Sequence, residues 1–140
     1  MSGFHFDDII KVVEVDADGK KYDKVSRIDA KSQDGKTDIV LDINSELYPV
    51  KKNELYRMVL SQTLALDGSA TGSNPEGKLK SLADKFEYVM HGLLYKVAEE
   101  SSKVVAYISF GGLQLKLSSE PLNMHKFKLD QRLFILLRKM

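Results

Sequence analysis

The chain contains no cysteine. That excludes disulfides, thiol catalysis and thiolate metal sites, and it is compatible with a reducing compartment such as cytosol or nucleus. It has almost no net charge: Lys+Arg 21 against Asp+Glu 20 leaves +1. A protein that grips nucleic acid by itself shows a basic excess or a concentrated basic face. Here the signs interleave, as in Asp16–Lys24. Near-zero net charge gives little colloidal repulsion, which suits a protein that lives inside a complex. No apolar run approaches the ~20 residues needed to span a bilayer. The start, Met1 to Asp8, lacks the charged and apolar regions of a signal peptide. The expectation is a soluble intracellular protein with no membrane contact.

Catalytic motifs are missing too. There is no Gly-x-Ser-x-Gly elbow, phosphate loop or Gly-x-Gly-x-x-Gly. Asp7 and Asp8 are adjacent, so on a strand they point to opposite faces and do not act together. His5, His91 and His125 lie far apart, without the convergent spacing of a zinc site. Asp16-x-Asp18-Gly19 has a carboxylate pattern faintly like a calcium loop, but its glycine comes too early, and Arg27 stands where such a loop needs its bidentate Glu. A hairpin turn explains the segment better. The expectation is no enzyme activity, no metal, no cofactor and no small-molecule substrate.

What the sequence does have is a period of two. Ile39, Leu41 and Ile43 alternate with Asp38, Val40 and Asp42, and Leu113, Leu115 and Leu117 alternate with polar residues in the same way, as half-buried strands do. Phe86, Tyr88 and Met90 repeat the pattern, with strands resuming at Phe86. Val104–Ile108 is β-branched and aromatic, which favours strand. Leu133–Leu137 is apolar on both faces, as in a strand buried on both sides or lying at a docking surface.

Asp18-Gly19 and Asp34-Gly35 punctuate the first apolar runs, and Asp-Gly suits tight hairpins because their turns need positive φ. Two such turns predict a three-stranded meander, ended near Pro49 and followed by a fourth strand at Leu55–Leu60. Val25 and Ile28 fall out of phase, which predicts a bulge or a sharp bend in the second strand. Asp67–Lys80 is rich in Gly, Ser and Asn and reads as a long flexible loop. Pro121–Phe127 suits a short helical turn with Pro121 first.

The sum is an all-β chain: an eight-stranded, OB-like Greek-key barrel with little helix, in one domain over 1–140. At 140 residues it buries roughly 68–70% of its unfolded surface, enough for one core. Phe110-Gly111-Gly112-Leu113 is the most informative local feature, because paired glycines in or beside a strand mark a corner, a bulge or a close approach. It reads as a barrel corner, and as an edge against which a partner packs.

Six segments, in order, resemble a known family. They are Phe6–Ile9, Lys21–Arg27, Leu41–Asn44 through Tyr48–Val50, Ala83–Gly92, Ala106–Leu113 and the apolar-then-basic Leu133–Lys139. Together they are similar to the small subunit, numbered eight, that eukaryotic nuclear RNA polymerases I, II and III share. The Asp67–Lys80 loop is shorter than in some of its members.

The resemblance implies a barrel of two Greek-key halves, no catalytic residue, and a place on the outside of the polymerase against its largest subunit. It also implies a nuclear location, including the nucleolus for polymerase I, and a DNA contact that is at most indirect. On that basis Ser109, Phe110, Gly111, Gly112, Leu113, Tyr88 and Arg138 are the expected partner-binding residues. Two other functions fit the expected fold. One is a free OB-type binder of single strands using the tyrosines. The other, a barrel enzyme or ligand carrier, rests on fold analogy alone.

Overall fold

A computed structural model of the chain describes residues 4–19, 23–64 and 81–140. The expected 67–80 loop, and Tyr22, lie outside the described residues. Eight strands run in order: β1 (Phe6–Val15), β2 (Val25–Ser32), β3 (Asp38–Asn44), β4 (Leu55–Ser61), β5 (Tyr88–Glu100), β6 (Lys103–Phe110), β7 (Leu113–Ser119) and β8 (Arg132–Lys139). Every pairing is antiparallel, and the order β1-β2-β3-β7-β6-β5-β8-β4 closes on itself.

That order contains two Greek keys. β4-β1-β2-β3 is one and β8-β5-β6-β7 repeats it, each a meander whose fourth strand returns beside the first. The seams between them are β3–β7 and β4–β8. The likeness extends to detail. β1 carries an extra residue at Val13, between Val12 and Glu14, and β5 carries one at Tyr95, between Leu94 and Lys96. Both bulges sit where a long first strand bends to close the barrel.

The interior is filled by side chains. Ile10, Ile28, Leu41, Met58, Leu94, Ile108, Leu115, Leu133 and their neighbours pack into one cluster. Met124 and Phe127, from the connection before β8, join the same cluster. Thr37 Oγ1 donates to Ser119 Oγ at 3.0 Å, and Thr37 N donates to Ser32 Oγ at 3.0 Å, whereas His5 Nδ1 is buried with no hydrogen-bond partner among the described residues.

Several local expectations need correction. β2 alternates without a break, with Ser26, Ile28, Ala30 and Ser32 all buried. The bulge lies opposite it, on β1, and Val25 is out of phase because it is an outward apolar residue lining a surface cleft. β3 ends at Asn44, well before Pro49. Asp18-Gly19 is part of a longer connection, since β1 stops at Val15 and β2 starts at Val25.

Phe86 precedes β5 rather than opening it. It follows a short 3-10 turn, Leu82–Lys85, capped by Ser81 and Asp84 through reciprocal side-chain to backbone bonds. The other short turn, Pro121–Asn123, has Pro at its start as expected.

β8 is buried on both faces for a visible reason. Leu133, Ile135 and Leu137 point into the barrel, while Leu136 joins Phe4, Val59 and Leu82 in a second apolar cluster outside it. The 3-10 turn is pinned there by Leu82 N donating to the Leu64 carbonyl at 2.6 Å.

Candidate partner-docking surface

Strand direction places the expected partner-binding residues at one end of the barrel. Gly111 and Gly112 join β6 to β7, and Phe110 and Leu113 face each other across the turn. Tyr88 opens the neighbouring β5 and Arg138 nearly ends β8, where Tyr88 pairs with Leu137. The turn is not a barrel corner. Both glycines have positive φ, 61° and 99°, as a two-residue hairpin turn of the primed kind demands. A Cβ on either would meet nothing within 4 Å, so the pair is exposed and backbone-constrained.

The flanking residues have mainly structural partners. Phe110 is buried, and Leu113 packs against the core. Ser109 Oγ accepts a bond from Gly112 N at 3.3 Å. The Tyr88 hydroxyl accepts from Asn44 N at 3.1 Å, and its ring stacks on Tyr48 at 5.1 Å. Arg138 lies over the Phe86 ring at 5.7 Å, with Arg57 over the same ring at 5.3 Å. Of the seven, only Gly111 and Gly112 are exposed; Ser109, Leu113, Tyr88 and Arg138 are half-buried.

The tyrosines divide into two groups. Tyr48, Tyr56 and Tyr88 close this end of the barrel, with Tyr48 and Tyr56 edge to face at 6.0 Å. The Tyr48 hydroxyl donates to Glu87 at 2.6 Å and that of Tyr56 to Glu54 at 2.7 Å. Burial, then the carboxylate partner, pushes both phenols up. Glu54 answers in the other direction: its bonds from Lys139 Nζ and Tyr56 pull it down to about 2. These rings are packed and bonded, which leaves little of them to stack on bases. Tyr95 and Tyr107 lie on the outside of β5 and β6, bonded to Gln114 and Glu100.

Beside the hairpin turn lies a cleft of about 480 Å³ that the sequence did not reveal. Asp16, Asp18, Asp29, Asp42, Arg27 and Lys116 line it, an excess of two negative charges. Arg27 grips Asp42 through two bonds, 2.7 and 3.1 Å, and Gln114 N donates to the same carboxylate. Burial, then the charge of Asp18, raises Asp29. No single segment carries this pattern, since its residues come from β2, β3, β7 and the loop after β1.

The histidines stand in three separate places. His5 packs edge-on to Phe127, His91 stacks on Phe134 at 4.1 Å, and His125 Nδ1 lies 3.0 Å from the Leu122 carbonyl. Asp7 turns outward to a two-bond contact with Arg57, and Asp8 folds back on Ile9 N.

Known proteins resemble this chain from end to end. One relative, "DNA-directed RNA polymerases II, IV and V subunit 8B" of Arabidopsis thaliana, is 45% identical, covering 96% of this chain and 95% of its own. The Caenorhabditis elegans "Probable DNA-directed RNA polymerases I, II, and III subunit RPABC3" is 41% identical over 99% of this chain and 98% of its own. The Saccharomyces cerevisiae "DNA-directed RNA polymerases I, II, and III subunit RPABC3" is 39% identical over 99% of this chain and 100% of its own. With residues 7–139 matched to the family described as RNA polymerase Rpb8, the chain belongs to that family.

Proposed function

We propose that the chain is a subunit common to DNA-directed RNA polymerases I, II and III, and that it acts by docking on the largest subunit without an active site of its own. The reading rests on its full-length likeness to relatives named for those enzymes. A barrel filled by its own side chains supports it, because such an interior leaves only the outer surface to work with. The same filled interior argues against a ligand carrier, and the family argues against a free single-strand binder. The single barrel over 1–140 works in the nucleus, and in the nucleolus as part of polymerase I.

The mechanism is assembly. A rigid barrel orders loops of the larger partner and lowers the free energy of the assembled enzyme. The docking end is the one that carries the Gly111-Gly112 turn, Tyr88 and Arg138. The test is affinity purification of the tagged chain from its own cells, with mass spectrometry of what remains bound in moderate salt. Large subunits of all three polymerases are expected. Gly111→Asp and Gly112→Asp should weaken their retention while the chain stays folded. Undiminished retention would remove the turn from the interface, and recovery of no polymerase subunit would overturn the function.

A further inference from the structure

β5 outruns the barrel. β8 pairs with it only as far as Leu93, after which Leu94 is bonded by Gln131 and Asp130 of the connection before β8. Beyond the bulge, Lys96 to Glu100 continue against β6 alone. The matching strand of the other Greek key stops much sooner: β1 ends two residues past its bulge, at Val15. Its free side is covered, with Asn53 N bonded to the Val12 carbonyl and Lys52 paired to Glu14. Closing the barrel therefore does not require the β5 extension.

The direction of its backbone groups follows from the turn. β5 and β6 are joined by Ser101 and Ser102, both at positive φ, so Glu100 and Lys103 form the bonded pair that flanks a two-residue hairpin. Alternation then gives bonds to β6 from Lys96, Ala98 and Glu100. The N–H and C=O of Val97 and Glu99 point the other way, and among the described residues no strand lies against that side. Side chains on the same stretch are exposed, although the Tyr95 hydroxyl is bonded to Gln114. Tyr95 is 44% exposed and Val97 36%, and Glu99 takes part in no ion pair among the described residues.

We propose that this edge, Val97 to Glu99, takes up an extended segment of another polymerase subunit as an added strand. The proposal rests on the reading of the chain as a polymerase subunit. An unpaired row of backbone groups is completed by extended chain, which supplies affinity through main-chain bonds and specificity through alternate side chains. The edge specifies the chemistry of that segment: an apolar residue beside Val97 and a lysine or arginine beside Glu99. A second copy of this chain is a poorer occupant. So short an edge buries far less than the roughly 1,200 Å² of a stable interface, whereas a subunit held elsewhere on the barrel needs only a local addition.

The test is hydrogen exchange followed by mass spectrometry, comparing the free chain with the purified polymerase over peptides covering Tyr95–Glu100. In the free chain, Lys96, Ala98 and Glu100 exchange slowly and Val97 and Glu99 fast. In the enzyme, Val97 and Glu99 are expected to slow by about ten-fold or more. Equal rates in both would overturn the proposal, and so would slowing in the free chain that grows with its concentration, the mark of self-pairing.

Val97→Pro removes only an outward N–H and should reduce retention in the enzyme under a salt wash; Glu99→Lys tests the same edge if the proline variant does not fold. Retention unchanged in the folded variant would count against the edge. A polymerase that co-purifies with the edge unprotected sinks this inference alone, while no co-purifying polymerase sinks the function as well.

Discussion

A methyl group added at Gly92 has nowhere to go. Gly92 sits on the inner side of β5, and a Cβ there would collide with the Ser109 carbonyl and lie 2.6 Å from Phe110 Cδ1. The Phe110 ring occupies the space that another residue would fill. Gly92→Ala should therefore cost about 1–3 kcal/mol by overpacking, read as a lower urea midpoint at unchanged m. An unchanged midpoint would show that the Ser109 backbone and the Phe110 ring both give way at little cost. A second residue-level test is Glu54, whose carboxylate takes bonds from Lys139 Nζ at 2.7 Å, Tyr56 at 2.7 Å and Lys51 N at 3.0 Å. Folded, it holds its proton off until about pH 2, against an ordinary value of 4.5. Its contribution is thus complete above about 4.5 and is lost as pH falls toward 2. Glu54→Gln should flatten that part of the stability–pH curve; a variant that keeps the full slope would assign it to other carboxylates.

At the scale of elements, β8 shows how a strand comes to be apolar on both sides. Leu136 points away from the barrel yet is fully buried against Val59, Phe4 and Leu82. Leu136→Ala should cost about 2–5 kcal/mol, as for any core leucine, although the barrel interior is untouched. A loss below about 1 kcal/mol in urea unfolding would mean that the outer layer peels off at little cost. The doubled apolar pattern of Leu133–Leu137 was legible in the sequence, but its cover was not. That cover comes from Phe4 and from a 3-10 turn before β5, joined by contacts far apart in the chain. The same limit explains the Val25 misreading. An outward valine that lines a cleft looks, in one dimension, like a slip in an inward row. Gly111-Gly112 stood out as special, but its conformation depends on which strands it joins, and pairing is not written in the local pattern. All seven expected docking residues fall at one end because strand directions follow from the meander, which was legible.

The molecule as a whole depends on its two seams. Period-two patterning and turn residues are local, so eight strands can be counted from the sequence. The seams join Asp38–Leu41 to Leu115–Ser118 and Tyr56–Ser61 to Phe134–Lys139, and nothing local encodes them. Each Greek key taken alone would expose both its outer strands and the apolar face that now fills the barrel. A half of this size buries only about 60% of its unfolded surface and is marginal, and with four strands and no closure it leaves unburied the apolar face that closure covers. Residues 1–64 and 81–140 made separately should therefore lack cooperative unfolding. Co-expressed, they should recover the β-rich circular dichroism and dispersed amide spectrum of the intact chain, since the contacts at both seams lie within the two pieces. The experiment has two informative failures. If one half unfolds cooperatively at low concentration, that Greek key is self-sufficient and the seams only dock two stable units. If the halves do not recombine, the covalent link between β4 and β5 is needed to bring the seams together against the entropy of association.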